Sequence, residues 1–231
     1  MEITTDTKVK ICGVTNPEDA ALVAEAGADY LGVVVKVGYS PRSLRAEEAA
    51  AIFQLEGVGK VALLMEPSEE EFSRIVGLLR ADAVQLVGQE KPREVERLAQ
   101  RGEAIIWKSV HLPPAGEGDS VSVSDILQRI EAYREAGVEI IVLDTIHKQP
   151  GGAKYGGTGL RSDWQLARRV VEDSPLPVLL AGGLGPENVV EALRQVRPFG
   201  VDMASGVESS VGRKDGAKVK AVVGAVRRFR G

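Results

Sequence analysis

Short apolar runs alternate with amphipathic ones along the chain. The apolar runs are rich in β-branched residues, and eight read as strands: Val9–Ile11, Tyr30–Val35, Lys60–Met65, Ala83–Leu86, Ala104–Ser109, Glu139–Leu143, Pro177–Ala181 and Gly200–Met203. Near-continuous hydrophobicity marks parallel strands covered on both faces. The stretches between them carry apolar positions at helical spacing: Pro17–Ala26, Ala46–Gln54, Ser68–Leu79, Pro92–Gln100, Ser124–Ala136, Asp163–Val171, Pro186–Gln195 and Asp215–Phe229. Helix-start signals support several of these. Thr15 or Asn16 precedes Pro17, Ser68 with Glu71 spells a capping box, and Ser124-Asp125 and Ser162-Asp163 are cap pairs. Gly185-Pro186-Glu187 places a proline in a first helical turn.

Eight strands alternating with eight helices in 231 residues is the arithmetic of a single (β/α)8 TIM barrel, with residues 1–231 as one domain. A doubly wound open sheet is the rival. It carries a GxGxxG phosphate turn after its first strand, whereas here that strand leads into Cys12-Gly13-Val14-Thr15-Asn16-Pro17. An internal repeat also favours closure. A helix end, a small turn, an acidic residue and an apolar strand recur around Asp29, Asp82, Glu139 and Asp202, spaced 53, 57 and 63 residues apart. Each repeat spans two βα units, so four make eight. These acids fall at strand N-terminal ends and read as structural, although Asp202 lies nearer the middle of its strand. Residues 1–8 read as a loose lead-in and 113–119 as a surface loop.

A formal charge of −4 and a pI near 5.4 argue against nucleic-acid binding. The basic end Arg227-Arg228-Phe229-Arg230 reads as a solvated helix terminus. Cys12 is the only cysteine, which excludes an internal disulfide and suits a reducing cytoplasm. No signal-peptide pattern or membrane-length apolar run is visible.

In a (β/α)8 barrel the chemistry sits at the C-terminal ends of the strands. Cys12 ends the first strand just before a helix N-terminus, whose field can draw a thiol down toward the thiolate. A reactive base and a small buried apolar residue are both open readings of it. Asp144 closes the run Ile140-Ile141-Val142-Leu143, where a carboxylate is costly unless solvated or used. The loop 145–162 holds five glycines between Gly151 and Gly159, the composition of a mobile lid or of a plain connector. Gly182-Gly183 after strand seven and Ser205-Gly206 after strand eight fall where such barrels build phosphate sites from backbone N–H groups. Arg42, in Ser40-Pro41-Arg42-Ser43, can fork a carboxylate, and Lys36 competes for that role. His111 and His147 read as loop residues with no ligand partners at metal spacing, and Trp107 and Trp164 as packing residues. The expected reaction moves protons within a phosphorylated small molecule, with neither metal nor redox cofactor. One chain supplies every part of the site, so a monomer suffices and a homodimer is compatible.

These segments together resemble the phosphoribosylanthranilate isomerase family of tryptophan biosynthesis. The matching phrases are Lys10-Ile11-Cys12-Gly13-Val14-Thr15, Asp82-Ala83-Val84-Gln85-Leu86, Leu143-Asp144-Thr145 with Tyr155-Gly156-Gly157-Thr158-Gly159, Gly182-Gly183-Leu184-Gly185-Pro186-Glu187-Asn188, and Val201-Asp202-Met203-Ala204-Ser205-Gly206-Val207-Glu208 closed by Gly212-Arg213-Lys214-Asp215. The resemblance implies an Amadori rearrangement of N-(5-phosphoribosyl)anthranilate, with Asp144 as general acid and Cys12 as general base. It further implies Arg42 on the anthranilate carboxylate, Gln85 as a substrate contact, and phosphate held by Gly182, Gly183, Ser205 and Gly206. Two places depart from the family pattern. Gln85-Leu86-Val87-Gly88 has valine where the family commonly has histidine, and Val33-Val34-Val35-Lys36-Val37-Gly38 lacks the usual phenylalanine-rich phrase. Both flank the place of the aromatic ring. The alternatives they leave are a related barrel isomerase acting on another sugar phosphate, and a phosphometabolite binder without turnover.

Overall fold

The computed structural model describes residues 7–113, 121–149, 152–155 and 163–229. The barrel strands are β1 (Lys8–Cys12), β2 (Tyr30–Val35), β3 (Gly59–Leu64), β4 (Ala83–Leu86), β5 (Ile105–Leu112), β6 (Val138–Gln149), β7 (Val178–Leu180) and β8 (Gly200–Met203). Each pairs in parallel with the next, and β8 pairs in parallel with β1, so the sheet closes. The helices between them are α1 (Pro17–Glu25), α2 (Ala46–Phe53), α3 (Glu69–Leu79), α4 (Pro92–Ala99), α5 (Val123–Glu135), α6 (Trp164–Asp173), α7 (Val189–Val196) and α8 (Gly216–Arg228). The (β/α)8 expectation is met.

Alternation along each strand builds two apolar layers. Outward residues such as Val9, Ile11, Leu31, Val84 and Ile141 pack under the helices. Inward residues including Val61, Leu63, Trp107, Val142 and Leu179 fill the barrel. Trp107 sets its ring edge-on against Tyr30, with centroids 4.9 Å apart and planes at 85°. Trp107 is 2% exposed, so truncation to alanine removes roughly 3–5 kcal/mol of packing.

The caps work largely as expected. Asn16 Oδ1 accepts the Asp19 N–H at 2.8 Å, Ser68 Oγ accepts that of Glu71 at 3.1 Å, and Asp163 Oδ1 accepts that of Leu166 at 2.9 Å. Glu71 does not complete a box, because its carboxylate pairs with Lys36 instead. The cap of α5 is Ser122 rather than Ser124, and α7 starts at Val189 rather than Pro186. Asn188 explains the second shift. Its Oδ1 accepts from Gly185 N at 2.9 Å and its Nδ2 donates to Gly183 O at 2.8 Å, which holds Pro186–Asn188 in a turn.

Strands β5 and β6 run past their apolar stretches. The end of β6 folds back on Gly152–Tyr155 as an antiparallel hairpin, with Ile146 opposite Tyr155 and Gln149 opposite Gly152. Apolar patterning stops where the strands leave the helical layer, but backbone pairing continues. His111 therefore belongs to β5 and the backbone of His147 to β6, not to loops. Residues 1–6, 114–120, 150–151, 156–162 and 230–231 lie outside the described residues, and with them most of the lead-in, the surface loop, the lid expected from the glycines and Arg230 of the basic end.

The repeated acids divide. Asp29 Oδ2 accepts the Val9 N–H at 2.8 Å and Asp82 Oδ2 the Lys60 N–H at 2.8 Å, each tying the start of the preceding strand. Arg227 is not merely solvated. It joins Asp29 at 2.7 Å and donates to the Thr7 and Gly27 carbonyls, both at 2.9 Å, clamping α8 under the barrel. Asp202 departs from the structural reading, because it faces the opposite end of the barrel.

Candidate active site

Inward residues at the C-terminal strand ends meet in one pocket of about 900 Å³ of empty space, open to solvent. It is lined by all of Cys12, Arg42, Gln85, Asp144, Gly182, Gly183, Ser205 and Gly206. Residues separated by most of the chain thus come together because each lies in the C-terminal half of a barrel strand or in the loop after it; Asp144 does not end its strand, because backbone pairing carries β6 on to Gln149.

Cys12 is the last residue of β1 and is 8% exposed. Its Sγ rests against Gly32 of the neighbouring strand, where a Cβ would stand only 3.0 Å away. Burial pushes the thiol above its ordinary range, while Lys10 and Lys214 pull it down and Asp202 adds to the rise. Burial wins, which corrects the expectation that local fields draw this thiol down. Beneath it, Lys10 Nζ binds Asp202 Oδ2 at 2.7 Å, a pair between β1 and β8 with Lys10 fully buried. Burial works against the Lys10 ammonium, but Asp202 and Cys12 hold its pKa above the usual lysine value. The other oxygen, Asp202 Oδ1, is buried with no hydrogen bond among the described residues, and Asp202 borders the pocket.

Asp144 projects from β6 across the mouth from Cys12. Its Oδ1 accepts the Thr145 N–H at 2.7 Å. Burial lifts its carboxyl to about 6, with the Thr145 hydrogen bond and Lys10 opposing and Asp202 adding to the rise. A carboxyl poised there can give up a proton near neutrality. His111 stands in register with Asp144 on β5 and also lines the pocket. Burial, reinforced by Lys108 and Arg129, lowers its imidazole to about 3, so it is neutral at physiological pH.

Gln85 is 2% exposed, and its Nε2 donates to Ser109 Oγ at 2.9 Å. Its Oε1 is a buried acceptor without a donor among the described residues, on the pocket wall. Such a group is costly unless a ligand completes it. Arg42 wins over Lys36 as the cation of the mouth: Lys36 is exposed and paired with Glu71, whereas Arg42 is buried at the pocket. The Arg42 fork is, however, already engaged by Glu208, with Nε to Oε1 at 2.7 Å and Nη2 to Oε2 at 2.6 Å.

On the far side, Gly182 (φ +91°) and Gly183 (φ +63°) turn through the left-handed region that glycine alone adopts freely. Gly206 packs so closely that a Cβ would lie 2.0 Å from the Leu184 carbonyl oxygen. The β2–β4 wall is apolar, with Val34, Val37, Leu63 and Val87. Sequence reading missed Asp202, His111, Ser109, Glu208 and Lys214 as parts of this region. Only the inward phase of β5 and β8, counted from Trp107 and Gly200, could have pointed to the first three.

Comparison with known proteins bears on the chemistry. The sequence profile of N-(5'phosphoribosyl)anthranilate (PRA) isomerase matches residues 9–225. The N-(5'-phosphoribosyl)anthranilate isomerase of Methanopyrus kandleri is 41% identical over 226 residues, covering 95% of this chain and 98% of the relative. The isomerase structure from Pyrococcus furiosus superposes with a TM-score of 0.80 at 26% identity, over 96% of this chain and all of the other. A phosphoribosyl anthranilate isomerase structure in complex with reduced 1-(o-carboxyphenylamino)-1-deoxyribulose 5-phosphate is 31% identical. Its TM-score is 0.77, again over 96% of this chain and 100% of that one.

Proposed function

The chain belongs to the N-(5'-phosphoribosyl)anthranilate isomerase family, and we propose that its pocket rearranges N-(5'-phosphoribosyl)anthranilate to 1-(2-carboxyphenylamino)-1-deoxyribulose 5-phosphate. The observation that carries this reading is the meeting of an acid near pKa 6, a buried thiol and two small-residue loops in one pocket.

Asp144 gives its proton to the ribose ring oxygen. The bond from that oxygen to C1 breaks, and the nitrogen lone pair forms the C1=N iminium. Cys12 as thiolate then takes the C2 proton. The C2–H electrons form C1=C2, and the C=N pair returns to nitrogen. The enaminol ketonises: C2 becomes the carbonyl and C1 gains a proton. C2 is oxidised and C1 reduced by the same electron pair, so the chemistry needs neither a cofactor nor a metal. Each proton transfer contributes roughly 10²–10⁴-fold.

The base ionises above the acid: a thiol ordinarily lies well above a carboxyl, and burial raises both groups. Only a minor fraction of the protein holds thiolate and carboxylic acid together, and the pH–rate profile is still bell-shaped. Backbone N–H groups of Gly182, Gly183, Ser205 and Gly206 cradle the phosphate. The orphan Gln85 Oε1 takes a hydroxyl or N–H donor of the substrate, and Arg42 meets the anthranilate carboxylate with the donors that Glu208 leaves over. A single chain supplies all of these groups, so a monomer suffices and a homodimer is compatible. The lone thiol suits a reducing cytoplasm, and among the described residues no helix is long and apolar enough to cross a membrane.

The test is incubation of the purified protein with N-(5'-phosphoribosyl)anthranilate, following ribose C1 and C2 by NMR. A C2 ketone and a C1 methylene are the expected outcome. Binding of the phosphorylated compound without those signals would instead support the binder.

A further inference from the structure

A buried charge cluster lies behind Cys12, and the acid–base chemistry above does not use it. Glu208 is 7% exposed, and its two oxygens receive three hydrogen bonds: Arg42 Nε at 2.7 Å, Arg42 Nη2 at 2.6 Å and Lys214 Nζ at 3.0 Å. Lys214 Nζ also donates to the Cys12 carbonyl at 2.7 Å and to the Ala204 carbonyl at 3.2 Å, which uses all three of its protons. One carboxylate therefore balances two cations, and the second cation grips the backbone of Cys12 and of the residue before Ser205. The stem of Arg42 crosses Gly13 so closely that a Cβ there would stand 2.5 Å from Arg42 Cδ, at a φ of +73°. Glu208 takes two of the five guanidinium donors, from the Nε–Nη2 edge, and Arg42 borders the pocket.

We propose that Glu208 is a positioning residue: it fixes the Arg42 guanidinium so that its remaining donors meet the substrate carboxylate, and with Lys214 it sets the charge balance beside the Cys12 thiol. This rests on the reading of Arg42 and Cys12 given above.

The groups facing the thiol are Lys10 on the same strand, Asp202 on β8, Lys214 beyond β8 and Arg42 beyond β2. Gly32 adds no charge from β2, and Asp144 looks in from β6. Glu208 itself stays ionised. Burial raises its carboxyl, but Arg42 and Lys214 outweigh that and hold it below the usual carboxylate value. Removing its charge frees the Arg42 fork and leaves two cations uncompensated near Cys12, so the thiolate becomes easier to form.

The experiment uses Glu208→Gln in the full chain, with circular dichroism to establish folding. Two quantities are read: KM and kcat for N-(5'-phosphoribosyl)anthranilate, and the pH midpoint of Cys12 alkylation by iodoacetamide without substrate. KM should rise about 10-fold or more with kcat changed less, since a bidentate charged contact is loosened. The alkylation midpoint should fall by about one pH unit. Glu208→Asp keeps the charge and shortens the reach. It should raise KM and leave the midpoint alone, and it serves if the glutamine variant does not fold. Glu90→Gln breaks a separate buried pair, Glu90–Lys108 at 3.0 Å, and should leave the midpoint at its wild-type value. An unmoved midpoint or unmoved KM in folded Glu208→Gln overturns the proposal, as does an equal midpoint shift in Glu90→Gln. Wild-type protein that fails to turn over this substrate would count against the substrate reading alone, because the alkylation arm tests the charge balance without it.

Discussion

Asp29 and Asp144 are the same residue type at opposite ends of one barrel. Asp29, at the N-terminal rim, takes the Val9 N–H at 2.8 Å, Lys8 at 3.2 Å and Arg227 at 2.7 Å. Burial works against its charge, but those partners outweigh it and hold the carboxyl below the usual range. Asp144, at the mouth, has the Thr145 N–H as its one hydrogen-bond donor among the described residues, and burial lifts it to about 6. One end of the barrel has satisfied its carboxylate; the other holds one in a state that costs stability and permits proton transfer. Separation of a stabilising face from a reacting face is general for this architecture, and here a single residue type shows it.

The comparison can be broken most directly through activity. Cys12→Ala and Asp144→Ala should each lower kcat by about 10³-fold in a folded protein, while Asp29→Asn stays within about twofold. Steady-state assays of the three variants decide it; near-wild-type turnover by Asp144→Ala would remove the acid from the mechanism.

A stability measurement sharpens the same contrast. The folded carboxyl of Asp144 lies near 6, above its unfolded value of about 3.9, so the ionised form destabilises the fold above about pH 6 and costs nothing below about pH 4. Asp144→Asn should therefore stabilise at pH 8 by up to about 3 kcal/mol, fading by pH 4. Urea unfolding at both pH values reads this, and a variant no more stable than wild type at pH 8 contradicts it.

Asp29 has the opposite sign. Its folded carboxyl is depressed, so its contribution is present above the unfolded value and is lost as pH falls through the folded one. Asp29→Asn should cost about 1–2 kcal/mol at pH 7 and less at pH 3. Equal losses at the two pH values would mean the carboxylate's charge plays no part.

The pocket itself shows a second division. The side built from β1, β6, β7 and β8 carries the charges and small residues that match the family phrases. The side built from β2, β3 and β4 adds Val34, Val37, Leu63 and Val87 beside Gln85, and the two departures from the family phrases, at 33–38 and at Val87, fall among these apolar residues. An apolar wall needs volume and dryness, which several residues can supply. A proton donor or a phosphate cradle needs atoms in fixed places.

Local order determined what was legible in the sequence. Strand and helix periods, caps and small-residue turns depend on neighbours a few positions away, so the eightfold alternation, the strand end at Cys12 and the places of Gln85 and Asp144 on their strands could be read directly. The glycine pairs at 182–183 and the Ser205-Gly206 turn were visible for the same reason, since positive φ and close approach exclude other residues. Boundaries slipped where backbone pairing outran apolar patterning, at β5 and β6, and that slip hid His111. The charge partners had no local trace. Lys10 and Asp202 are 192 residues apart, Arg42 and Glu208 166, and Lys214 and the Cys12 carbonyl 202. Those pairings exist only because the closed sheet sets β8 beside β1, so barrel closure decides which buried charge meets which.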